Sequence, residues 1–276
     1  MNDLLVNLAP TGVIPTRSTS DAVPLTPTEV VADVLACAER GLTTVHLHAR
    51  DDDGRPTWRP EPYAEMIEGI RSERPDLVIG VSCSGRSVPE IDKRAAVLDL
   101  PDDLRPDMAS LTLSSLNFAR SASVNAPDTV RGLAERMNDR GIIPELEVFD
   151  LGMVNYAKYL IGRGVLRPPH LFNLFFGNVA GAQAELLDIA AMVQSLPDDS
   201  LWSGAGIGSA QLPVHAIAIA VGDGVRVGLE DALHLDPERQ TPASNLTLLE
   251  RVHRLAAVHG RAIMTPNELR ARLTHG

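Results

Sequence analysis

Short apolar runs alternate with amphipathic stretches along the whole chain, and the alternation predicts a strand followed by a helix, eight times over. Leu4–Leu8 is the first predicted strand. Thr26-Pro27-Thr28-Glu29 then marks a helix start: Thr26 suits the N-cap, Pro27 the first turn and Glu29 the capping-box partner. That helix runs to Arg40 and stops at Gly41. The following strands are predicted at Thr43–His48, Leu77–Ser82, Met108–Leu113, Ile143–Val148, His170–Phe176, Leu201–Ala205 and Val225–Val227. Helices are predicted between and after them at Glu61–Arg74, Val88–Leu98, Pro127–Arg140, Gly152–Arg163, Ala182–Ser195, Ala210–Val221 and Asn245–His259, with a tail helix near Pro266–Leu273.

Strict alternation argues for a parallel sheet with helices outside it. Eight units in 276 residues predict an α/β chain folded as a (β/α)8 TIM barrel rather than an open doubly wound sheet. A dinucleotide-binding chain would need a Gly-rich fingerprint directly after its first strand, and the turn Ala9-Pro10-Thr11-Gly12-Val13-Ile14-Pro15 does not fit one. With no linker and no low-complexity segment, residues 1–276 read as one domain.

Composition narrows the function classes. The chain is 44% hydrophobic and 22% charged, which excludes wholesale disorder. A net charge of −11 argues against nucleic-acid binding and against a basic membrane-surface protein. Cys37 and Cys83 are too few for a disulfide framework or a Cys-rich zinc site. The start Met1-Asn2-Asp3-Leu4-Leu5 lacks the basic region of a signal peptide, and no apolar run approaches the roughly 20 residues of a membrane span. A soluble cytoplasmic protein is the expectation.

A barrel carries its chemistry at the C-terminal ends of its strands. The second strand ends with His46 and His48, which alternate onto one face. Two imidazoles there can share a divalent metal, or can be plain hydrogen-bonded residues of a polar mouth. A catalytic zinc would want a third ligand, for which Glu230 past the eighth strand and Glu147 on the fifth compete. Arg226 and Asp231 bracket Glu230 and read either as a carboxylate clamp with its base or as a structural ion pair. Ser82 and Gly85 could donate to an anion or simply cap a turn. The glycines of 204–208 follow the seventh strand, where barrels often bind phosphate, though glycine also serves tight turns. Cys83 reads as a small buried thiol. The other histidines, His170, His215, His234, His253, His259 and His275, mostly fall on helices or tails and read as solvated or packing residues.

These blocks together resemble the β-keto acid cleavage enzymes, whose founding activity is 3-keto-5-aminohexanoate cleavage in lysine fermentation. The resemblance rests on Leu25-Thr26-Pro27-Thr28-Glu29, on His46-Leu47-His48-Ala49-Arg50-Asp51 with Gly54-Arg55-Pro56, and on Pro144 to Asp150. It continues through Ala205-Gly206-Ile207-Gly208, Val225 to Asp231 and Ser244-Asn245, so it spans nearly the whole chain in order. It implies a barrel, usually a homotetramer, with a divalent metal, generally Zn2+, held by His46, His48 and Glu230. It also implies acetyl-CoA as co-substrate and a reaction that yields acetoacetate and a new CoA ester. The family's Arg–Asp pair falls on Arg226 and Asp231, and its polar site residues on Ser82, Ser110 and Glu147. Three positions depart from the pattern. Ile14 stands where aminohexanoate-specific members carry a Glu that can pair with the substrate's amino group, which predicts an uncharged substrate side chain. Ser209 stands where many relatives carry Arg. Ser82-Cys83-Ser84-Gly85 replaces a Ser-Thr-Gly-Gly run. The competing readings are another metal-dependent barrel enzyme, a hydrolase or aldolase using the same His pair, and a non-catalytic barrel that binds a ligand or serves a complex.

Overall fold

In the computed structural model, residues 2–274 are described; His275 lies outside them. The elements run β1 (Leu5–Leu8), α1 (Pro27–Ala38), β2 (Thr44–Leu47), α2 (Pro60–Glu73), β3 (Val78–Val81), α3 (Ile91–Ala95) and β4 (Met108–Thr112). A small hairpin follows, β5 (Leu116–Asn117) with β6 (Ala122–Ser123). Then come α4 (Pro127–Asp139), β7 (Ile143–Val148), α5 (Leu151–Gly162), β8 (His170–Phe176), α6 (Leu186–Gln194), β9 (Ser200–Gly206) and α7 (Gln211–Val221). The chain ends with β10 (Gly224–Val227), α8 (Asn245–Val258) and α9 (Pro266–Thr274).

Eight of these strands, all but the hairpin pair, close into a parallel barrel, with β1 hydrogen-bonded to β2 on one side and to β10 on the other. This is a (β/α)8 TIM barrel. The local signals act as their chemistry requires. Thr26 and Glu29 form a reciprocal capping box at the start of α1, and prolines occupy the first turns of α1, α2 and α4. Gly41 takes φ +108, a conformation that a side chain would strain.

Three segments differ from the periodicity. The helix expected over Val88–Leu98 begins only at Ile91 and ends in a 3-10 turn, Ala96–Asp99, because Pro89 disfavours helical backbone at the residue before it. The helix expected from Ala182 begins at Leu186. Residues ahead of it are tied into a loop, with the Ala182 N–H donating to the Phe149 carbonyl at 2.7 Å and Gly181 packed on that same carbonyl. The hairpin β5–β6 has no counterpart in the apolar pattern, because its two-residue strands are too short to show a period.

Strand alternation sorts the barrel interior into layers. At the N-terminal end Leu5, Val78, Met108 and Leu171 form an apolar cluster that Met264 and, from α9, Leu269 and Leu273 cover. One step along each strand the interior turns polar: Asn7, His46, Ser110, Glu145, Asn173 and Arg226 are all buried. The cavity therefore lies at the opposite, C-terminal end. No helix among the described residues is long and apolar enough to cross a membrane.

His215 on α7 is a buried packing histidine whose Nε2–H donates to the Arg226 carbonyl at 2.8 Å. Burial pushes its pKa from 6.5 down to about 4. Below pH 6.5 the unfolded chain takes up a proton that the native chain refuses until about pH 4. Stability contributed by the neutral ring is thus present above that window and falls with pH across it, by about 3 kcal/mol. Urea unfolding from pH 7 to pH 4 should show this slope in the native chain and a flatter one in His215→Gln.

Candidate active site

His46 and His48 project from the end of β2 into the barrel, with ring centroids 5.1 Å apart. Glu145 of β7 sits beneath His46, its Oε2 2.7 Å from His46 Nδ1. The other oxygen, Oε1, accepts amide N–H groups from Asn7 and Asn173, each at 2.5 Å. A carboxylate occupied in this way can only accept from the imidazole, so Nδ1 carries a proton and Nε2 is the nitrogen left for a metal ion. That Nε2 is buried and has no partner. Burial alone would raise the Glu145 pKa, but His46, Arg226 and the Asn173 amide outweigh it and hold the group below the ordinary carboxylate range.

Glu230 is delivered from the far end of the chain. After β10, Gly228 takes φ +149 with its backbone packed on Ala9, and the Glu230 N–H donates to the Ala9 carbonyl at 3.2 Å. Gly12 makes room for the side chain: a Cβ there would stand 2.4 Å from Glu230 Cγ. Glu230 Oε1 lies 3.1 Å from His48 Nε2, and one ligand atom from each of His46, His48 and Glu230 falls within 4.8 Å of the others. Two imidazole nitrogens and one carboxylate oxygen, with space left for a fourth ligand, fit the donor set of a catalytic divalent metal. The orphaned His46 Nε2 and its Glu145 brace fit the same group, since metal-bound histidines commonly donate their other N–H to a carboxylate. Replacing Glu145 by Gln should weaken binding of added zinc by about 10- to 100-fold, measured by competition with a chromogenic chelator.

Arg226, 1% exposed, ties the carboxylates together. Its Nη2 is 2.7 Å from Glu230 Oε2, its Nε donates to Asp231 Oδ2 at 3.1 Å, and its Nη1 lies 4.0 Å from Glu147 Oε1. Its guanidinium also packs on the Phe175 ring at 5.1 Å. Glu147 accepts the Thr112 hydroxyl at 2.6 Å. Burial would raise the Glu230 pKa, yet Arg226 and His48 keep it well below the usual range. At Asp231 the balance is reversed: burial, helped by Glu230, keeps its pKa above the ordinary value although Arg226 pulls it down.

These groups face a cavity of about 590 Å³, whose wall includes Ile14, Ser82, Glu147, Glu230 and Asp231. Ile14 is 57% exposed there and brings no charge. Three expected contact residues are not on that wall, and the first is Arg226, buried behind Glu230 and Asp231. The Ser110 hydroxyl instead accepts the Cys83 N–H at 3.1 Å. Gly85 makes space for the buried Arg94, whose Nη1 would stand 2.6 Å from a Cβ at that position. Arg94 donates from Nε to the Cys83 carbonyl at 2.8 Å and so shapes the Ser82–Gly85 loop from behind. Burial pushes the Cys83 thiol up to about 12, in keeping with a packing role. In the run 204–208, Gly206 allows backbone contact with Ala210 and Gln211, while Gly208 lies at the cavity. The sequence by itself assigns Asn7, Glu145, Asn173 and Thr112 no role in the site. For Glu145 and Thr112 the available signal is position, two residues from Glu147 and Ser110 on an inward face, whereas Asn7 and Asn173 lie on β1 and β8, which carry no recognised site residue.

Comparison with known proteins gives concordant results. The family whose model matches residues 3–274 is described as beta-keto acid cleavage enzyme. A 3-keto-5-aminohexanoate cleavage enzyme from Fusobacterium nucleatum is 35% identical over 272 residues, covering 98% of this chain and 97% of the relative. A 3-oxoadipate:acetyl-CoA acetyltransferase from Cupriavidus necator is also 35% identical, covering 98% and 94%. Among solved structures, apo ObcA superposes with a TM-score of 0.82 at 22% identity, over 92% of this chain and 66% of that longer one, a likeness of fold.

Proposed function

The chain belongs to the β-keto acid cleavage enzyme family, and on that premise we propose that it condenses a β-keto acid with acetyl-CoA to give acetoacetate and a new acyl-CoA, using a divalent metal held by His46, His48 and Glu230. The enzyme class is an acetyl-CoA-dependent transferase that cleaves a carbon–carbon bond. The observation that carries the finer reading is the convergence of the two histidines and Glu230 at one end of a cavity that Asp231 also faces.

A bound divalent ion, zinc in the simplest case, would supply Lewis-acid polarisation of the keto and carboxylate oxygens. The chain's own groups do the rest. Asp231 takes the proton from the carbon between keto group and carboxylate, as a carboxylate raised by burial and oriented by Arg226 is suited to do. The carbanion attacks the thioester carbon and expels CoA thiolate. The thiolate adds to the former keto carbon, the old carbon–carbon bond breaks, and acetoacetate leaves after taking a proton back from Asp231. Arg226 and the Ser82 hydroxyl stabilise the negative charge that develops on oxygen. Glu147, fixed by Thr112, accepts a hydrogen bond from the substrate side. Ile14 offers no counter-charge to an amino group, so the substrate side chain carries no positive charge.

The test is a panel of β-keto acids with and without acetyl-CoA, followed by acetoacetate release. Acetoacetate formed only when acetyl-CoA is consumed agrees with this function. Keto-acid loss independent of acetyl-CoA would favour the hydrolase or aldolase reading.

A further inference from the structure

One wall of the cavity is a ladder of three phenylalanines. Phe175 stacks on Phe149 at 4.5 Å, and Phe149 meets Phe118 edge to face at 5.9 Å. Each end of the ladder carries a guanidinium. Arg226 lies on Phe175 at 5.1 Å at the inner end, and Arg86 lies on Phe118 at 3.7 Å at the outer end. The two arginines differ in one respect. Arg226 is surrounded by Glu230, Asp231 and Glu147, whereas Arg86 makes no ion pair among the described residues. The Arg86 Nε donates to the Ser121 hydroxyl at 3.2 Å and its two Nη groups have no hydrogen-bond partner there. Arg86 is half-buried in the cavity wall; the carboxylates of that wall, Glu147, Glu230 and Asp231, contact Arg226, and of them only the charge of Glu230 also reaches Arg86, without an ion pair.

We infer that Arg86 is a specificity-determining residue that binds a second carboxylate at the far end of the β-keto acid, which makes the preferred substrate a β-keto dicarboxylic acid. This rests on the cleavage reading above and deepens it: Ile14 argues only against a cation, and Arg86 adds a reason for an anion. A guanidinium held flat on an aromatic ring keeps its edge free for a two-pronged carboxylate contact. The phenylalanine ladder between the two arginines suits the methylene groups that would join the two ends of such a substrate. Arg86 leaves the same short loop as Ser82 and Ser84, both on the cavity wall beside His48, so it faces the substrate's end of the cavity. That placement favours the keto acid over the phosphates of CoA as its partner.

The experiment compares two acids of equal length, 3-oxoadipate and 3-oxohexanoate, at saturating acetyl-CoA, in the native enzyme and in Arg86→Met and Arg86→Lys. The native enzyme should prefer 3-oxoadipate. Arg86→Met should lower kcat/KM for it by about 10- to 100-fold, the range of a hydrogen bond to a charged group. Turnover of 3-oxohexanoate, the KM for acetyl-CoA and the melting temperature should remain unchanged, and Arg86→Lys should restore part of the loss. Equal or better turnover of 3-oxohexanoate by the native enzyme overturns the inference and leaves the cleavage reading standing. A rise in the KM for acetyl-CoA, with both acids equally affected, assigns Arg86 to a CoA phosphate and overturns it too. Absence of acetyl-CoA-dependent cleavage of any β-keto acid overturns both.

Discussion

Asp231→Asn is expected to lower kcat by about 10²- to 10⁴-fold, the span attributed to a positioned general base. Asn keeps the shape of the side chain and can still contact Arg226, but it cannot accept a proton from carbon. The loss should therefore fall on kcat, with metal content, melting temperature and the KM for acetyl-CoA close to those of the native enzyme. Deuterium exchange into the β-keto acid, followed by NMR without acetyl-CoA, isolates the step: the native enzyme should catalyse exchange at the carbon between keto and carboxylate, and Asp231→Asn should not. Rapid exchange in the variant would remove Asp231 from that role and direct attention to Glu147, which faces the same cavity.

Stripping the metal is expected to lower turnover by about 10³-fold or more, because Lewis-acid stabilisation of a developing oxyanion contributes several kcal/mol. Chelation with re-addition of zinc is a cleaner measurement than mutation of His46. In His46→Ala the ionised Glu145 would lose its main partner while still buried beneath the site, which destabilises a fold by about 3–5 kcal/mol. Loss of activity in that variant would mix an unfolding effect with loss of metal. Glu230→Gln removes a ligand charge with little change in volume and should give a folded protein of low metal content. Recovery of activity when zinc is restored to the stripped native enzyme, and little recovery in Glu230→Gln, is the expected pair of results.

The barrel was legible in the sequence because alternation of strand and helix is a property of each segment by itself. Thr26 and Glu29 cap α1 as their spacing predicts, and the first and last residues of β7 and β8 coincide with the apolar runs. The hairpin β5–β6 and the late start of α6 were not legible. The first has no period to read, and the second depends on Ala182 bonding to Phe149, a contact that exists only after the end of β7 and the loop beyond β8 have come together. The same distinction governs the site. His46 and His48 are neighbours on one strand, and Glu230 with Asp231 follows one strand end, so each pair can be seen locally. Glu145 reaches His46 across the barrel from a position 99 residues away. Its role follows from closure of the sheet, although its alternation with Glu147 already placed two carboxylates on one inward face of β7. Arg86 and Phe118 are the extreme case, since neither lies in a recognisable motif and their contact joins two loops.

The central claim is that one divalent ion is held jointly by the two imidazoles of β2 and the carboxylate beyond β10. Anomalous diffraction from crystals of the purified enzyme, recorded on both sides of the zinc absorption edge, tests it most directly. The account predicts a single strong peak per chain within bonding distance of His46 Nε2, a His48 ring nitrogen and a Glu230 oxygen. Zinc-soaked crystals with no peak there, and with Glu230 still paired to Arg226, would contradict it.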